Sequence, residues 1–208
     1  MSHLRRPRHP VVERALRLSR HYCAGNIIDD APAFAHACKV AVMLARYVPD
    51  ATPEMIAAAL LHDAPEFVSP SVNLDNVLKH AIGDGVAPLV NAIHTEHAAM
   101  MSGAAPRVPG QPVTQIMAAD KVVAFSALVR RAGRAPDECE FWAKRTALQS
   151  LFPWFEQWCE MAAPQLPESL HTAVSLALAR LETAAVARPQ PASPTPGGSN
   201  VTPLPAPG

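Results

Sequence analysis

Two adjacent ionisable residues, His62 and Asp63, end an otherwise apolar stretch at 57–61, while His36 precedes them and Asp120 follows. Imidazole nitrogen and carboxylate oxygen together suit manganese, iron, cobalt or zinc better than magnesium, which prefers oxygen ligands alone. We therefore predict that His36, His62, Asp63 and Asp120 bind one divalent metal ion, with manganese as the first choice. Four protein ligands leave positions open for water and a phosphate oxygen, which suits phosphate-ester hydrolysis.

The alternative to a metal site is a network of hydrogen-bonded core side chains, since nine histidines produce some chance arrangements. Asp120 weighs against that alternative because it lies in the apolar run 117–123, where a lone carboxylate would cost several kcal/mol to bury. We favour metal binding for this reason.

Other polar residues lie near these four in the sequence. Lys121 follows Asp120, and Lys39 lies one helical turn after His36, so both are predicted to contact substrate phosphate. The alternative for each is a surface lysine with a buried stem. His94 and His97 have helical i, i+3 spacing and could contact a second metal or a phosphate, but a polar helix face is favoured because no further ligand is nearby.

The helix that carries the doublet has the clearest start in the sequence. Thr52, Pro53 and Glu54 are an N-cap, a first-turn proline and a first-turn acid in the expected order. Pro65 disfavours helical geometry at residue 64, so this helix should end or kink just after 62–63.

The chain as a whole is predicted to be all-α. Its residues are 49% hydrophobic but only 5% aromatic, which favours packed helices over sheet sandwiches. We identify no β-hairpin signal. Residues 102–111 are predicted to be a loop. Further helices are expected at about 10–24, 32–47, 74–82, 86–101, 112–131, 136–161 and 167–186.

The domain organisation follows from composition. Residues 1–9 are predicted to be a flexible arm, 10–187 one helical domain, and 188–208 a disordered tail. The last twenty residues contain seven prolines and three glycines and almost nothing large enough to bury.

Charge and cysteine usage exclude several classes. The 18 basic and 18 acidic residues cancel, so a nucleic-acid binder is not expected. The four cysteines form no C-x-x-C pair, the start lacks the long apolar stretch of a signal peptide, and no run approaches the ~20 apolar residues of a membrane span. We expect a cytoplasmic protein with no membrane partner. Its oligomeric state stays open.

Several segments resemble the HD-domain phosphohydrolases, and within them the RelA/SpoT-type hydrolase domains and the small metazoan SpoT homologues. The resemblance covers roughly residues 14–166. It rests on Ala33-Phe34-Ala35-His36, on the run 56–63 that ends in His62-Asp63, and on the segments 82–90, 119–121 and 140–144. It implies a helical HD bundle with His36, His62, Asp63 and Asp120 as its metal ligands.

The resemblance also implies a catalytic acid and shows three departures. Glu66 matches the family's acid beside the attacking water, and a carboxylate one turn beyond a ligand can orient or deprotonate that water. Phe67 stands where alarmone hydrolases have a second acid. Gly25 and Asn26 replace the basic pair that holds guanine, and Ala124 replaces an asparagine.

The expected activity is metal-dependent hydrolysis of a nucleotide phosphate or pyrophosphate, with a (p)ppGpp-like alarmone as the named candidate. A 5'-deoxynucleotidase of the HD type is the second reading, because those enzymes also use one glutamate without a following acid. A non-catalytic HD module that binds metal or nucleotide is the third. Metal content and product analysis distinguish the three.

Overall fold

The computed structural model of the protein describes residues 9–28 and 31–186. Eleven α-helices account for most of this part of the chain, as the prediction of an all-α fold requires. The predicted N-terminal arm lies almost entirely outside the described residues, and the predicted tail lies wholly outside them. The helices are α1 (Pro10–Tyr22), α2 (Ala33–Tyr47), α3 (Pro53–Leu61), α4 (Ala64–Phe67), α5 (Leu74–Ala81), α6 (Ala87–Met101), α7 (Gln111–Ala132), α8 (Glu138–Ala143), α9 (Thr146–Gln149), α10 (Phe152–Ala162) and α11 (Glu168–Val186).

The central element is α7, which packs against α2, α3, α6 and α11. Fourteen of its residues are buried, including the polar Thr114, Gln115, Asp120 and Lys121. By length and composition α7 could cross a membrane, yet most of that stretch is buried within the bundle, which is the pattern of a core helix. Asp120 is therefore carried by the most enclosed helix of the domain.

The helix before the doublet begins and ends as the sequence predicts. The Thr52 hydroxyl accepts a hydrogen bond from the Met55 amide at 3.3 Å, and Pro53 occupies the first turn. The α-helix ends at Leu61, and the chain continues through 62–63 into the single turn α4, whose first turn contains Pro65. The doublet thus lies at a junction between two helices.

Two predictions of secondary structure are wrong. The expected helix at 136–161 is divided into α8, α9 and α10, and Pro153 lies in the first turn of α10, where a missing amide hydrogen costs nothing. A proline inside the predicted helix would have removed a hydrogen bond, so the chain restarts there.

The second error concerns strands. Ile27–Ile28 (β1) and Ala31–Pro32 (β2) form a small antiparallel ladder that pairs Ile27 with Pro32. A ladder of two residues on each side is too short to show the alternating pattern by which strands are recognised.

Candidate metal centre

Three elements bring the predicted ligands to one place. His36 comes from α2, His62 and Asp63 from the junction after α3, and Asp120 from the middle of α7. These helices pack directly on one another, so side chains 84 residues apart in sequence meet. A ligand atom from each of His36, His62 and Asp120 lies within 4.8 Å of the other two.

The ring nitrogens and carboxylate oxygens approach closely. His36 Nε2 lies 3.0 Å from Asp120 Oδ1 and 3.8 Å from Asp63 Oδ2. His62 Nε2 lies 3.0 Å from Asp63 Oδ2 and 3.7 Å from Asp120 Oδ1. Two ligands that each lie 2.0–2.2 Å from one ion can be at most about 4.4 Å apart, so all four distances are compatible with a shared ion.

The hydrogen bonding of His62 is a stronger test of whether the cluster fits a metal. Its Nδ1 lies 2.9 Å from the carbonyl oxygen of Ala59, to which it donates, so Nε2 carries a lone pair in the neutral ring. Among the described residues, His62 Nε2 and Asp63 Oδ2 are buried atoms without a hydrogen bond. Buried polar atoms are normally paired, and a cation between these two would satisfy both. The residues present therefore fit a divalent metal ion.

The electrostatics of the cluster depend on burial and on opposite charge. Burial lowers the pKa of His62, but the charges of Asp63 and Asp120 outweigh it and hold that pKa well above its ordinary value. Burial raises the pKa of Asp120, and Lys121 together with His36 and His62 more than reverses this, so the pKa is well below the usual range. Burial also raises the pKa of Asp63, and the neighbouring His62 more than reverses this, so that pKa is lowered too. Both carboxylates are therefore ionised, as metal ligands must be.

Lys121 and His97 lie on the other side of Asp120. The Lys121 ammonium donates to Asp120 Oδ2 at 2.8 Å and is buried with it, with 9% and 7% of the two side chains exposed. His97 Nε2 is 3.7 Å from the same oxygen. Burial and the nearby Lys121 charge lower the pKa of His97 to about 3, so its ring is neutral at pH 7. Asp120 Oδ1 thus faces His36 and His62, and Oδ2 faces Lys121 and His97.

Glu66 lies in α4, directly after the doublet, and has an unexpected neighbour. Its side chain is 54% exposed, and its Oε1 lies 3.1 Å from Nδ1 of His94 on α6. The exposed carboxylate can meet water and substrate, as the prediction of a catalytic acid requires, although its role stays a prediction. The structure does not bring Lys39 to the cluster, because Lys39 is exposed and makes no hydrogen bond or ion pair with the four predicted ligands.

The sequence reasoning missed the placement of His94 and His97. We favoured a polar helix face, whereas the structure turns His97 toward Asp120 and His94 toward Glu66. The available signal was their i, i+3 spacing on a helix that lies in sequence between the doublet and Asp120.

The helical bundle and the His–His-Asp–Asp cluster define a class of protein whose buried residues fit a divalent metal ion. The HD domain family matches residues 15–125, more than half of the 208-residue chain and a span that contains all four predicted ligands. The protein therefore belongs to the HD domain family, which confirms the resemblance found in its sequence.

A solved structure supports the same fold. It is described as a metazoan orthologue of SpoT that hydrolyses ppGpp and plays a role in starvation responses. The two share 13% sequence identity and superpose with a TM-score of 0.61, over 85% of this chain and 98% of the other. A likeness at this identity concerns the fold alone. No curated protein sequence matches this chain.

Proposed function

We propose that this protein is a phosphohydrolase that depends on one divalent metal ion and acts on a nucleotide phosphate or pyrophosphate. The observation that carries the proposal is the convergence of two imidazole nitrogens and two carboxylates, with His62 Nε2 and Asp63 Oδ2 buried 3.0 Å apart and neither of them hydrogen-bonded. A bound divalent ion would lower the pKa of water and offset charge on the phosphoryl group. Manganese is the metal we propose, with iron, cobalt and zinc as alternatives.

The chain's own residues supply the remaining chemistry in this proposal. Asp63, His62, His36 and Asp120 hold the ion. Glu66, exposed in α4 just after the doublet, accepts the proton of the attacking water. The Lys121 ammonium offsets negative charge on the side of Asp120 away from His36 and His62, where a phosphate oxygen would approach.

Two substrates follow from different features. A (p)ppGpp-like alarmone is proposed from the likeness to the SpoT orthologue, whose printed description names ppGpp hydrolysis. A deoxynucleoside 5'-monophosphate is proposed from Phe67, because a hydrolase with two acids in series would need a carboxylate at that position. The products differ, since the first reaction releases pyrophosphate and the second releases orthophosphate.

The test is a screen of nucleotides against protein stripped of metal and then reloaded with manganese, iron, cobalt or zinc. We expect hydrolysis that is lost in chelator and restored by one of these ions, with the released product separating the two substrates. Absence of turnover with all four metals would overturn the proposal. The non-catalytic alternative would then be supported if metal or nucleotide still bound.

The matched control is a pair of histidine variants. His36→Ala removes a proposed ligand on α2 and should abolish both metal uptake and turnover. His171→Ala removes a histidine from α11, outside the cluster, and should change neither.

A further inference from the structure

A cavity of about 330 Å³ lies beside Lys121, between α7, the end of α6, and the α9–α10 segment. Its volume is at the lower end of the range for small-molecule sites. The walls are mainly apolar side chains, among them Met100, Phe125, Leu128, Leu148, Leu151 and Phe155. Such a surface suits a flat aromatic ring, which gains contact area and sulfur contacts from methionine.

Lys121 joins this cavity to the metal cluster. Its side chain lines the cavity, while its ammonium donates to Asp120 Oδ2 at 2.8 Å. Asp120 Oδ1 in turn lies 3.0 Å from His36. The cavity therefore lies next to the position proposed for the reacting phosphate.

The charged side chains in the cavity walls are hydrogen-bond donors only. They are Lys121 and Arg145, and neither can accept a hydrogen bond. The Arg145 guanidinium stacks on the Phe141 ring at 3.6 Å and donates to the Phe141 carbonyl. Among the described residues that line the cavity, no side chain carries an oxygen that could accept a hydrogen bond.

We propose that this cavity binds the base of the nucleotide substrate and prefers thymine and uracil to guanine, adenine and cytosine. The proposal rests on the proposed function and specifies its substrate class. Guanine, adenine and cytosine each carry an amino group, which would be buried here without a side-chain acceptor. Thymine and uracil also carry a donor, but only the single hydrogen at N3, whereas adenine and cytosine carry two on the amino group and guanine carries three in all. Their two carbonyl oxygens accept from lysine or arginine, and the thymine methyl adds apolar contact.

The expected differences in affinity between the bases are large enough to measure. Burying a donor without a partner weakens binding roughly 5- to 150-fold, which sets the range for guanine against thymine. Loss of the thymine methyl should weaken binding about 4-fold in uracil. The preference also favours a deoxynucleotide over the guanine-containing alarmone as the substrate.

Binding is measured on the metal-loaded full chain by calorimetry with 5'-phosphonate analogues of thymidine and 2'-deoxyguanosine, which cannot be hydrolysed. We expect the thymidine analogue to bind at least 5-fold more tightly. Ala124→Phe, which fills the cavity from α7, should reduce its affinity at least 10-fold. Leu148→Asn adds an amide oxygen to the wall that can accept a hydrogen bond from guanine. It should therefore reduce the ratio of the affinities for the thymidine and 2'-deoxyguanosine analogues.

The matched control is Leu176→Asn, the same change at a partly exposed leucine on α11 that does not line this cavity. It should leave both affinities unchanged, and circular dichroism should show that every variant is folded. Equal affinity for the two analogues, or a folded Ala124→Phe protein with unchanged affinities, would overturn the inference. If the protein binds the thymidine analogue more tightly but hydrolyses no nucleotide, the proposed function fails while the inferred base preference remains supported.

Discussion

The buried ion pair between Lys121 and Asp120 makes a prediction about stability that does not depend on any catalytic activity. Lys121→Met keeps most of the side-chain volume and removes the ammonium that lies 2.8 Å from Asp120 Oδ2. Removing one partner of a buried pair costs about 3–5 kcal/mol. We expect the lower end, about 3 kcal/mol, because the His62 ring remains 3.7 Å from Asp120 and its raised pKa favours the charged form.

The same change should be less costly when metal is bound. A divalent ion at the cluster would compensate the Asp120 charge in place of Lys121, and removal of a nearby cation favours the binding of another. The loss of unfolding free energy caused by Lys121→Met is measured in chelator and at a fixed metal concentration. By linkage, the difference between these two losses gives the change in metal affinity that the substitution causes. We therefore expect Lys121→Met to bind manganese more tightly than the wild-type protein does.

The assay is urea unfolding followed by circular dichroism, in chelator and in excess manganese. Lys144→Met is the matched control, because Lys144 pairs with Glu140 at 2.6 Å with both side chains more than 60% exposed. An exposed pair of this kind contributes at most about 1 kcal/mol. The reasoning is refuted if Lys121→Met and Lys144→Met lose the same stability in chelator.

Three further predictions concern Glu66 and Asp63, the helix before the doublet, and the thiols. Glu66→Gln should keep metal occupancy while turnover of the best substrate falls about 100- to 10,000-fold, whereas Asp63→Asn should lose metal and turnover together; full activity of Glu66→Gln at saturating metal would contradict the proposed role. Thr52→Ala removes the cap on the Met55 amide and should cost about 1 kcal/mol in urea unfolding, with Thr52→Ser as the control, and an unchanged midpoint would show that the cap contributes nothing. Burial raises the pKa of the Cys159 thiol to about 11, so Cys159→Ala should leave the fast phase of thiol labelling at pH 8 unchanged, which a loss of fast-reacting thiol would disprove.

Local chemistry allowed much of the fold to be predicted from the sequence. The helix from Pro53 is marked by a cap and a first-turn proline, and its end is marked by Pro65, so both ends were predictable. The division of 136–161 into three helices was harder, because only Pro153 marks it and the first break, near Arg145, has neither proline nor glycine. Residue types alone did not reveal that break.

The candidate site shows the same limit. His62 and Asp63 were predictable because a charged doublet after an apolar run needs a partner. The residues that contact the doublet and Asp120 were not predictable. The direction in which the His97 side chain points depends on how α6 packs against α7, and the spacing of His94 and His97 is equally compatible with a helix face exposed to solvent. Lys39 illustrates the converse, because a residue one turn from His36 on the same helix lies on the surface.

The position of Asp120 explains why the cluster and the core are built together. In the middle of α7, a carboxylate is held rigidly by the packing of buried neighbours on both sides, but Asp120 is only 5% exposed, so water does little to stabilise its charge. Lys121 of the same helix on one oxygen, and His36 of α2 with His62 after α3 on the other, supply that stabilisation. A change that separates α2 or α3 from α7 would therefore leave a buried charge uncompensated, so correct packing and a formed metal site are favoured by the same interactions.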